Sequence, residues 1–203
     1  MSQAGHALHL DDFGARLGMW LFLVTEMILF GGLFLAYAYL RNRYPAEFHQ
    51  AGAGMDVALG LTNTVVLLTS SLTVALAIDA LRRGAQRRAL GFLAGTLGLG
   101  LVFLAIKSVE WAAKFHHGLY PGAAHLGTLA PGEQVFFGLY FTMTGLHGVH
   151  VVVGLAVLGA MARMVARGAI RPGRTVYLEN AGLYWHLVDI IWIFLLPLFY
   201  LAA

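Results

Sequence analysis

Residues 17–40, LGMWLFLVTEMILFGGLFLAYAYL, form a run of 24 residues in which Glu26 is the only charged side chain. A helix needs about 20 mostly apolar residues to cross the roughly 30 Å of hydrocarbon in a bilayer. Arg41, Arg43 and Pro45 follow the run and end it. The stretch therefore predicts a transmembrane helix over residues 17–40.

Four more stretches have the same character, at residues 57–81, 89–111, 134–166 and 179–201. The chain is 59% hydrophobic and 11% charged, whereas soluble domains are about 45–50% apolar and about 25% charged. We therefore expect an all-α fold: residues 1–203 form a single membrane domain, a bundle of five transmembrane helices. Small residues recur in FGGLFLA, GTLGLGL and GLAVLGA, and we expect them to let neighbouring helices approach closely.

The lysines and arginines are distributed unequally between the two sides of this bundle. Nine belong to the side of the N-terminus, namely Arg16, Arg82, Arg83, Arg87, Arg88, Arg163, Arg167, Arg171 and Arg174. The other four are Arg41, Arg43, Lys107 and Lys114. Because cytoplasmic loops carry the excess of basic residues, we expect a cytoplasmic N-terminus and a C-terminus outside. Basic residues in short loops indicate topology, so no nucleic-acid partner is expected. The absence of cysteine excludes disulfides and thiolate metal sites.

Glu26 lies about ten residues into the first predicted span. An ionisable side chain near the bilayer centre costs about 2.5–3.5 kcal/mol, so each one is a candidate functional residue. Glu26 has no basic residue nearby in its own helix. Four interpretations are open: a proton carrier, a contact to a lipid headgroup, a hydrogen-bond partner of a basic group elsewhere, or a protonated carboxyl bonded to a neighbouring helix.

Two further groups of polar residues lie within predicted spans. Lys107 and Glu110 are three positions apart and can form an ion pair on one helix face. Glu179, His186 and Asp189 fall within roughly one side of the last helix, since an α-helix has 3.6 residues per turn. We expect His186 and Asp189 to form a hydrogen-bonded pair, which lowers the cost of keeping both in lipid.

His147 and His150, in GLHGVHVVVG, share one face of the fourth span. They could ligate a metal, and His150 with His186 could hold a haem between two helices. A metal pair bridged by carboxylates in a helical bundle would show Glu-x-x-His on two helices, and that motif does not occur in the chain. Hydroxyls and an acid, in Thr142, Thr144 and Asp189, lie close to the histidines in sequence. Hydrogen bonding between helices is therefore the preferred interpretation.

Five ordered segments resemble subunit III of haem–copper respiratory oxidases. They are GMWLFLVTEMILFGGLFLAYAYLR, LTNTVVLLTSSLTVA, FLAIKSVEW, GLYFTMTGLHGVHVVVG and YWHLVDIIWIFLLPLFY. The resemblance covers residues 17–201 and includes the family's Tyr-Trp-His-x-Val-Asp. It implies a non-catalytic subunit of a bacterial proton-translocating oxidase in the plasma membrane. Such a subunit packs on subunit I, binds phospholipid and supports proton uptake and turnover stability, while the haems and copper lie in partner subunits.

The resemblance also implies which residues correspond to the family's polar positions. These are the intramembrane acid Glu26, the third-helix Glu110, the histidines His147 and His150, and Glu179, His186 and Asp189 of the last helix. Many members have glutamine where this chain has Lys107. Members with seven helices hold lipid in a cleft that involves two helices this chain lacks, so those lipid sites are not carried over to this short, five-helix form.

The resemblance favours an aa3-type cytochrome c oxidase, with subunits I and II as partners. Quinol oxidases of the bo type often have aspartate at the position of Glu26, so glutamate favours the cytochrome c branch. A quinol oxidase or a nitric oxide reductase system is the alternative within the family. A free-standing metal or haem enzyme built on His147, His150 and His186 is the alternative of another class. A subunit IV and a respiratory supercomplex are left open as partners.

Overall fold

The computed structural model describes the backbone of residues 3–201 and the side chains of residues 13–201. This part of the chain is all-helical and has no strand. Its helices are α1 (Gln3–Arg43), α2 (Pro45–Ala53), α3 (Val57–Arg82), α4 (Gln86–His116), α5 (Pro131–Ala166) and α6 (Val176–Leu196). A 3-10 turn, Leu126–Thr128, precedes α5, and a π-helical turn, Pro197–Leu201, continues α6.

Five helices of the described chain are long and apolar enough to cross a membrane, which confirms the predicted all-α membrane fold. The candidate spans are Phe13–Arg43, Val57–Arg82, Gln86–His116, Pro131–Ala166 and Val176–Leu201. Each span extends a few residues beyond its apolar run at one end or at both, because a helix continues through the polar interface until a turn residue ends it. Gly84 and Gly168, both at positive φ, follow the ends of α3 and α5.

Helix α2 was not predicted from the sequence. Pro45 begins it, because the fixed φ of proline suits the first turn of a helix. Its Phe48 is fully buried and meets the rings of Tyr37 and Phe136 edge-on, with centroids 5.4 and 5.5 Å away. The segment after the first span is therefore a short helix packed across the end of the bundle.

Helix α6 is the centre of the bundle, and α1 is its least covered member. In the most apolar 18 residues of each span, 61% of the residues are buried for the span that contains α6, whereas 11% are buried for that of α1. Trp185 and Trp192 of α6 are fully buried, and their indole N–H groups donate to hydroxyls of α3, Ser70 at 2.9 Å and Thr64 at 3.0 Å. The hydroxyl-rich α3 thus holds α6 from one side.

Two of the predicted small-residue contacts are present, and one is not. A Cβ on Gly154 would lie 2.7 Å from the Trp185 ring, and one on Gly100 would lie 2.9 Å from the same ring. Glycine therefore lets α4 and α5 approach the tryptophan at the bundle centre. The Gly31–Gly32 pair of α1 has open space around it in the described chain, so the prediction of close packing was wrong there.

Candidate functional site: polar side chains of the membrane bundle

Glu26 of α1 is hydrogen-bonded to His150 of α5. The Glu26 Oε2 and His150 Nε2 atoms are 2.8 Å apart, and each side chain is 14% exposed. The pairing agrees with two of the four interpretations of Glu26, a partner for a basic group on another helix and a protonated carboxyl bonded to a neighbouring helix. Tyr184 of α6 donates to the His150 carbonyl oxygen at 3.0 Å, so three helices meet at this pair.

The contact of the second ring nitrogen of His150 determines how many protons Glu26 and His150 share. Its Nδ1 atom lies 2.7 Å from the Leu146 carbonyl oxygen, which accepts only, so Nδ1 carries a proton. One proton then remains for the contact between Nε2 and Glu26, and it can reside on either partner. The pair is therefore a site that holds one transferable proton without a net charge in either form.

Lys107 and Glu110 form the predicted ion pair, with Nζ and Oε2 3.0 Å apart. Two tyrosines complete the cluster. Lys107 Nζ also donates to the hydroxyls of Tyr140, at 3.0 Å, and Tyr200, at 2.6 Å. Both hydroxyls donate in turn to Glu110 Oε1, at 2.6 and 2.5 Å. Every N–H of the ammonium group and both hydroxyl protons have an acceptor, so no hydrogen-bond donor of the cluster is left without a partner.

The tyrosines of this cluster were missed by the sequence reasoning. Tyr140 lies in α5 and Tyr200 in the turn after α6. Tyrosine near the end of a membrane helix is typical of the interface, so neither residue stood out. The signal that could have found them is the lysine itself, because a buried ammonium group requires three acceptors and Glu110 alone cannot supply them.

His147 does not have the predicted hydrogen bond. Neither ring nitrogen has a partner among the described residues, and the side chain is fully buried. Its ring packs against Trp192 at 5.4 Å and against Phe103 at 5.5 Å between centroids. A separation of three residues turns two side chains about 60° apart on a helix, so His150 faces α1 while His147 faces the aromatic core.

The predicted pair of His186 and Asp189 is also absent. His186 Nδ1 lies 2.5 Å from Ser71 Oγ of α3, a hydroxyl that the sequence reasoning did not single out. Both carboxyl oxygens of Asp189 are buried without a hydrogen-bond partner in the described part of the chain. The imidazole is occupied by a neighbouring helix, and this turns it away from the acid of its own helix.

Glu179 lies at the end of the bundle where the arginine-rich loops meet, here named the arginine-rich end. Arg82 Nη2 is 2.8 Å and Arg16 Nη2 is 3.4 Å from its carboxyl oxygens. Thr175 donates to the same carboxyl at 2.5 Å. Glu179 thus ties α1 and α3 to the start of α6, while His186 and Asp189 lie one and a half turns or more further into the bundle.

The histidines and acids of the described residues do not gather into a metal-binding set. Within residues 13–201 no three side chains of His, Asp or Glu converge on a common point. Instead, Glu26 bonds His150, Lys107 bonds Glu110, and Glu179 bonds two arginines. The arrangement can hold helices together and, at Glu26 and His150, hold a proton.

A surface groove runs between α4 and α5, with a volume of about 350 Å³. Ser108, Trp111, Thr144, Gly148 and Val152 are among its lining residues, and the lining is almost entirely apolar.

Five apolar helices joined by paired polar side chains define a multi-pass membrane protein. Comparison with known proteins gives the family. The sequence matches the family model of cytochrome c oxidase subunit III over residues 2–203. The chain belongs to that family, the subunit III of haem–copper oxidases, and is therefore part of an enzyme complex, which in bacteria lies in the plasma membrane.

Relatives from both branches of the family resemble the chain equally well. Subunit 3 of the cytochrome bo(3) ubiquinol oxidase of Pseudomonas aeruginosa is 33% identical, with 96% of this chain and 89% of the relative covered. Cytochrome c oxidase subunit 3 of Thermostichus vulcanus is 31% identical, with 98% and 92% covered. The haem–copper oxidase subunit I+III of Aeropyrum pernix is 31% identical over 92% of this chain, which spans 22% of that protein.

Proposed function

We propose that the chain is the non-catalytic subunit III of an aa3-type cytochrome c oxidase, bound to subunits I and II in the plasma membrane. The observation that carries the proposal is the match of the whole chain to the subunit III family. The relative from Aeropyrum pernix supports the contact with subunit I, because that protein is named as a joined subunit I+III. Haems and copper belong to the partner subunits in this proposal.

The role proposed for this subunit is to support proton uptake and to prolong the working life of the oxidase. Glu26 and His150 are the residues proposed for the first task, because they hold one proton at a place where α1 is thinly covered. Glutamate at position 26 also supports the cytochrome c branch over the bo-type quinol branch. The Lys107 cluster has a structural role in this proposal.

Phospholipid is the ligand proposed for the groove between α4 and α5. An acyl chain would fill the apolar part beside Val149 and Val152, which are exposed and lie on the face of α5 toward lipid. A Cβ on Gly148 meets no atom within 4 Å. Gly148→Leu should therefore fill the groove without disturbing the helices, and native mass spectrometry should show one lipid fewer. An unchanged lipid count would contradict this site.

Copurification tests the proposed assembly directly. An affinity tag on the full chain should isolate oxidase subunits I and II, with haem absorbance in the same fraction. The purified complex should oxidise reduced cytochrome c. Oxidation of quinol instead of cytochrome c would establish the second candidate, a quinol oxidase, which the relative from Pseudomonas aeruginosa favours. Isolation of the chain without a subunit I would contradict both.

Deletion of the chain tests the proposed role. Oxygen reduction by the remaining subunits should begin at its normal rate and then decline within fewer turnovers than in the complete complex. Proton uptake should fall together with it, because each oxygen molecule that is reduced consumes protons. If deletion removed haem absorbance from a fully assembled subunit I, the chain would have a role in building the redox centres, and the accessory role proposed here would be wrong.

A further inference from the structure

Asp189 lies on the face of α6 that packs against α3. It is seven residues from Gly182 and seven from Leu196, so the three residues share one face of the helix. Gly182 lies against Ile78 of α3, and Leu196 lies against Gly60 of the same helix. Asp189 is 3% exposed and both its carboxyl oxygens are buried, which places the group between two membrane helices and away from lipid and water.

Within residues 13–201 no basic side chain forms an ion pair with this carboxyl. On the surrounding helices Glu26 bonds His150, Lys107 bonds Glu110, Asp79 bonds Arg83 and Glu179 bonds Arg82, and His147 packs against Trp192. Neither Asp189 oxygen has a hydrogen-bond partner in the described chain. An ionised carboxylate buried without a partner costs several kcal/mol, so the neutral, protonated acid is the form that this site stabilises.

A short polar route connects Asp189 with the surface. Ser71 of α3 borders the Asp189 carboxyl, without a hydrogen bond of standard geometry. The Ser71 hydroxyl is 2.5 Å from His186 Nδ1. His186 lines a surface groove of about 340 Å³ at the arginine-rich end, together with Arg82 and Glu179. The imidazole therefore lies between the aqueous end of the bundle and the buried acid.

We propose that Asp189 is a buried proton-binding site, and that its proton exchanges with water at the arginine-rich end through His186 and Ser71. The ligand of this site is the proton alone. The proposal concerns this chain by itself and does not depend on its assembly into an oxidase.

The exchange is a relay through two groups, His186 and Ser71, each of which gains one proton and loses one. Water in the groove gives a proton to His186 Nε2, and His186 Nδ1 gives its proton to the Ser71 oxygen. The Ser71 hydroxyl passes its own proton to an oxygen of the Asp189 carboxylate. The imidazole and the hydroxyl return to their neutral forms, and the net change is one proton moved from water to Asp189. Release follows the same steps in reverse.

Infrared spectroscopy of the full chain in lipid nanodiscs, with any subunits that copurify, tests the site. At neutral pH the spectrum should contain the carbonyl stretch of a protonated carboxyl that Asp189→Asn removes. The amide has nearly the same size and no charge, so the variant should fold as the wild type does. If Asp189→Asn removed no such band, the carboxyl would be ionised and the proposal would be overturned.

Exchange into heavy water tests the route. The Asp189 band should shift quickly in the wild type and about tenfold more slowly, or slower still, in Ser71→Ala, because exchange then requires a local opening of the bundle. His186→Phe should slow it similarly. Thr73→Val is the matched control, since Thr73 bonds Thr96 on α4 and lies off the route. Exchange in Ser71→Ala at the rate of the wild type would overturn the route. So would equal slowing in Thr73→Val.

Discussion

The bundle holds two polar sites within lipid that are built in different ways. In the Lys107 cluster one cation and one anion are surrounded by two tyrosines from other elements, and each donor has its acceptor. In the Glu26 site one acid meets one imidazole, and both side chains are partly exposed. The first site lies within the packed core, whereas the second joins α5 to the thinly covered α1.

The difference between the two sites lies in how much freedom their protons have. Within the cluster every proton is held by a partner at fixed distance, and moving one would leave a charge or a donor unpaired in a region of low dielectric constant. The proton between Glu26 and His150 can change its host while the pair stays neutral overall. We infer that the cluster stabilises the fold and that the pair is the site from which a functional effect is expected.

The largest loss of unfolding free energy should come from removing the cation of the Lys107 cluster. Lys107→Met removes the ammonium group and leaves Glu110 as a buried charge without a cation. Breaking a buried ion pair in this way costs about 3–5 kcal/mol of unfolding free energy. The measurement is unfolding of the chain by sodium dodecyl sulfate in mixed micelles, followed by tryptophan fluorescence.

A double variant is the control for this prediction. Lys107→Met combined with Glu110→Gln removes both charges and keeps an acceptor for the hydroxyls of Tyr140 and Tyr200. It should recover a large part of the lost stability, because replacing a whole buried pair costs far less than removing one partner. If the single variant were as stable as the wild type, the cluster would not hold the fold together.

A smaller loss of stability is expected when glycine is replaced by alanine, and its size should differ between the packed centre around α6 and the thinly covered α1. A Cβ on Gly154 would lie 2.7 and 2.8 Å from two carbons of the buried Trp185 ring. Gly154→Ala should therefore destabilise the bundle by about 1–3 kcal/mol, the usual cost of overpacking a core. Gly31→Ala on α1 meets no atom within 4 Å, and it should leave unfolding unchanged or raise stability slightly. Equal effects at the two positions would contradict the packing difference between α6 and α1.

Glu26→Ala should cause the next largest loss of unfolding free energy. It leaves His150 Nε2 without its partner, and an unsatisfied polar group in a partly covered site costs about 1 kcal/mol. Glu26→Gln keeps a hydrogen-bonding group of nearly the same shape and should be tolerated better in unfolding. Because an amide cannot host the shared proton, both variants should slow proton uptake by the complex to the same extent. Faster uptake in Glu26→Gln than in Glu26→Ala would contradict the role proposed for the pair.

The sequence predicts the elements well and the pairings poorly. The hydropathy of a segment indicates whether it is stable in water or in lipid, so five apolar runs were sufficient to predict five membrane helices. The pairing of Glu26 with His150 joins residues 124 positions apart, and no local pattern encodes which helix faces α1. The ion pair of Lys107 and Glu110 was predictable because both partners lie on one helix face, three residues apart.

The predictions that were wrong share a physical cause. His147 was expected to form a hydrogen bond to a neighbouring helix, and His186 and Asp189 were expected to bond each other within one helix. In a bundle, a side chain meets whatever the adjacent helix presents, and here that is an aromatic ring for His147 and the Ser71 hydroxyl for His186. Helix α2 was missed because its nine residues are too few to show a clear period.

The smallest effect is expected at the arginine-rich end, where both regions meet at Glu179. Arg16 of α1 is 58% exposed and lies 3.4 Å from the carboxyl, whereas Arg82 of α3 approaches to 2.8 Å. An exposed ion pair contributes about 0.2–1 kcal/mol, and salt screens it. Arg16→Ala should therefore change the unfolding free energy by about 0.5 kcal/mol or less, and the change should vanish at high salt.

Arg82→Ala should cost more, because Arg82 holds Glu179 in the shorter contact and joins α3 to α6 in the packed part of the bundle. A larger loss from Arg16→Ala than from Arg82→Ala would mean that α1 is held to the bundle more firmly than its sparse packing implies.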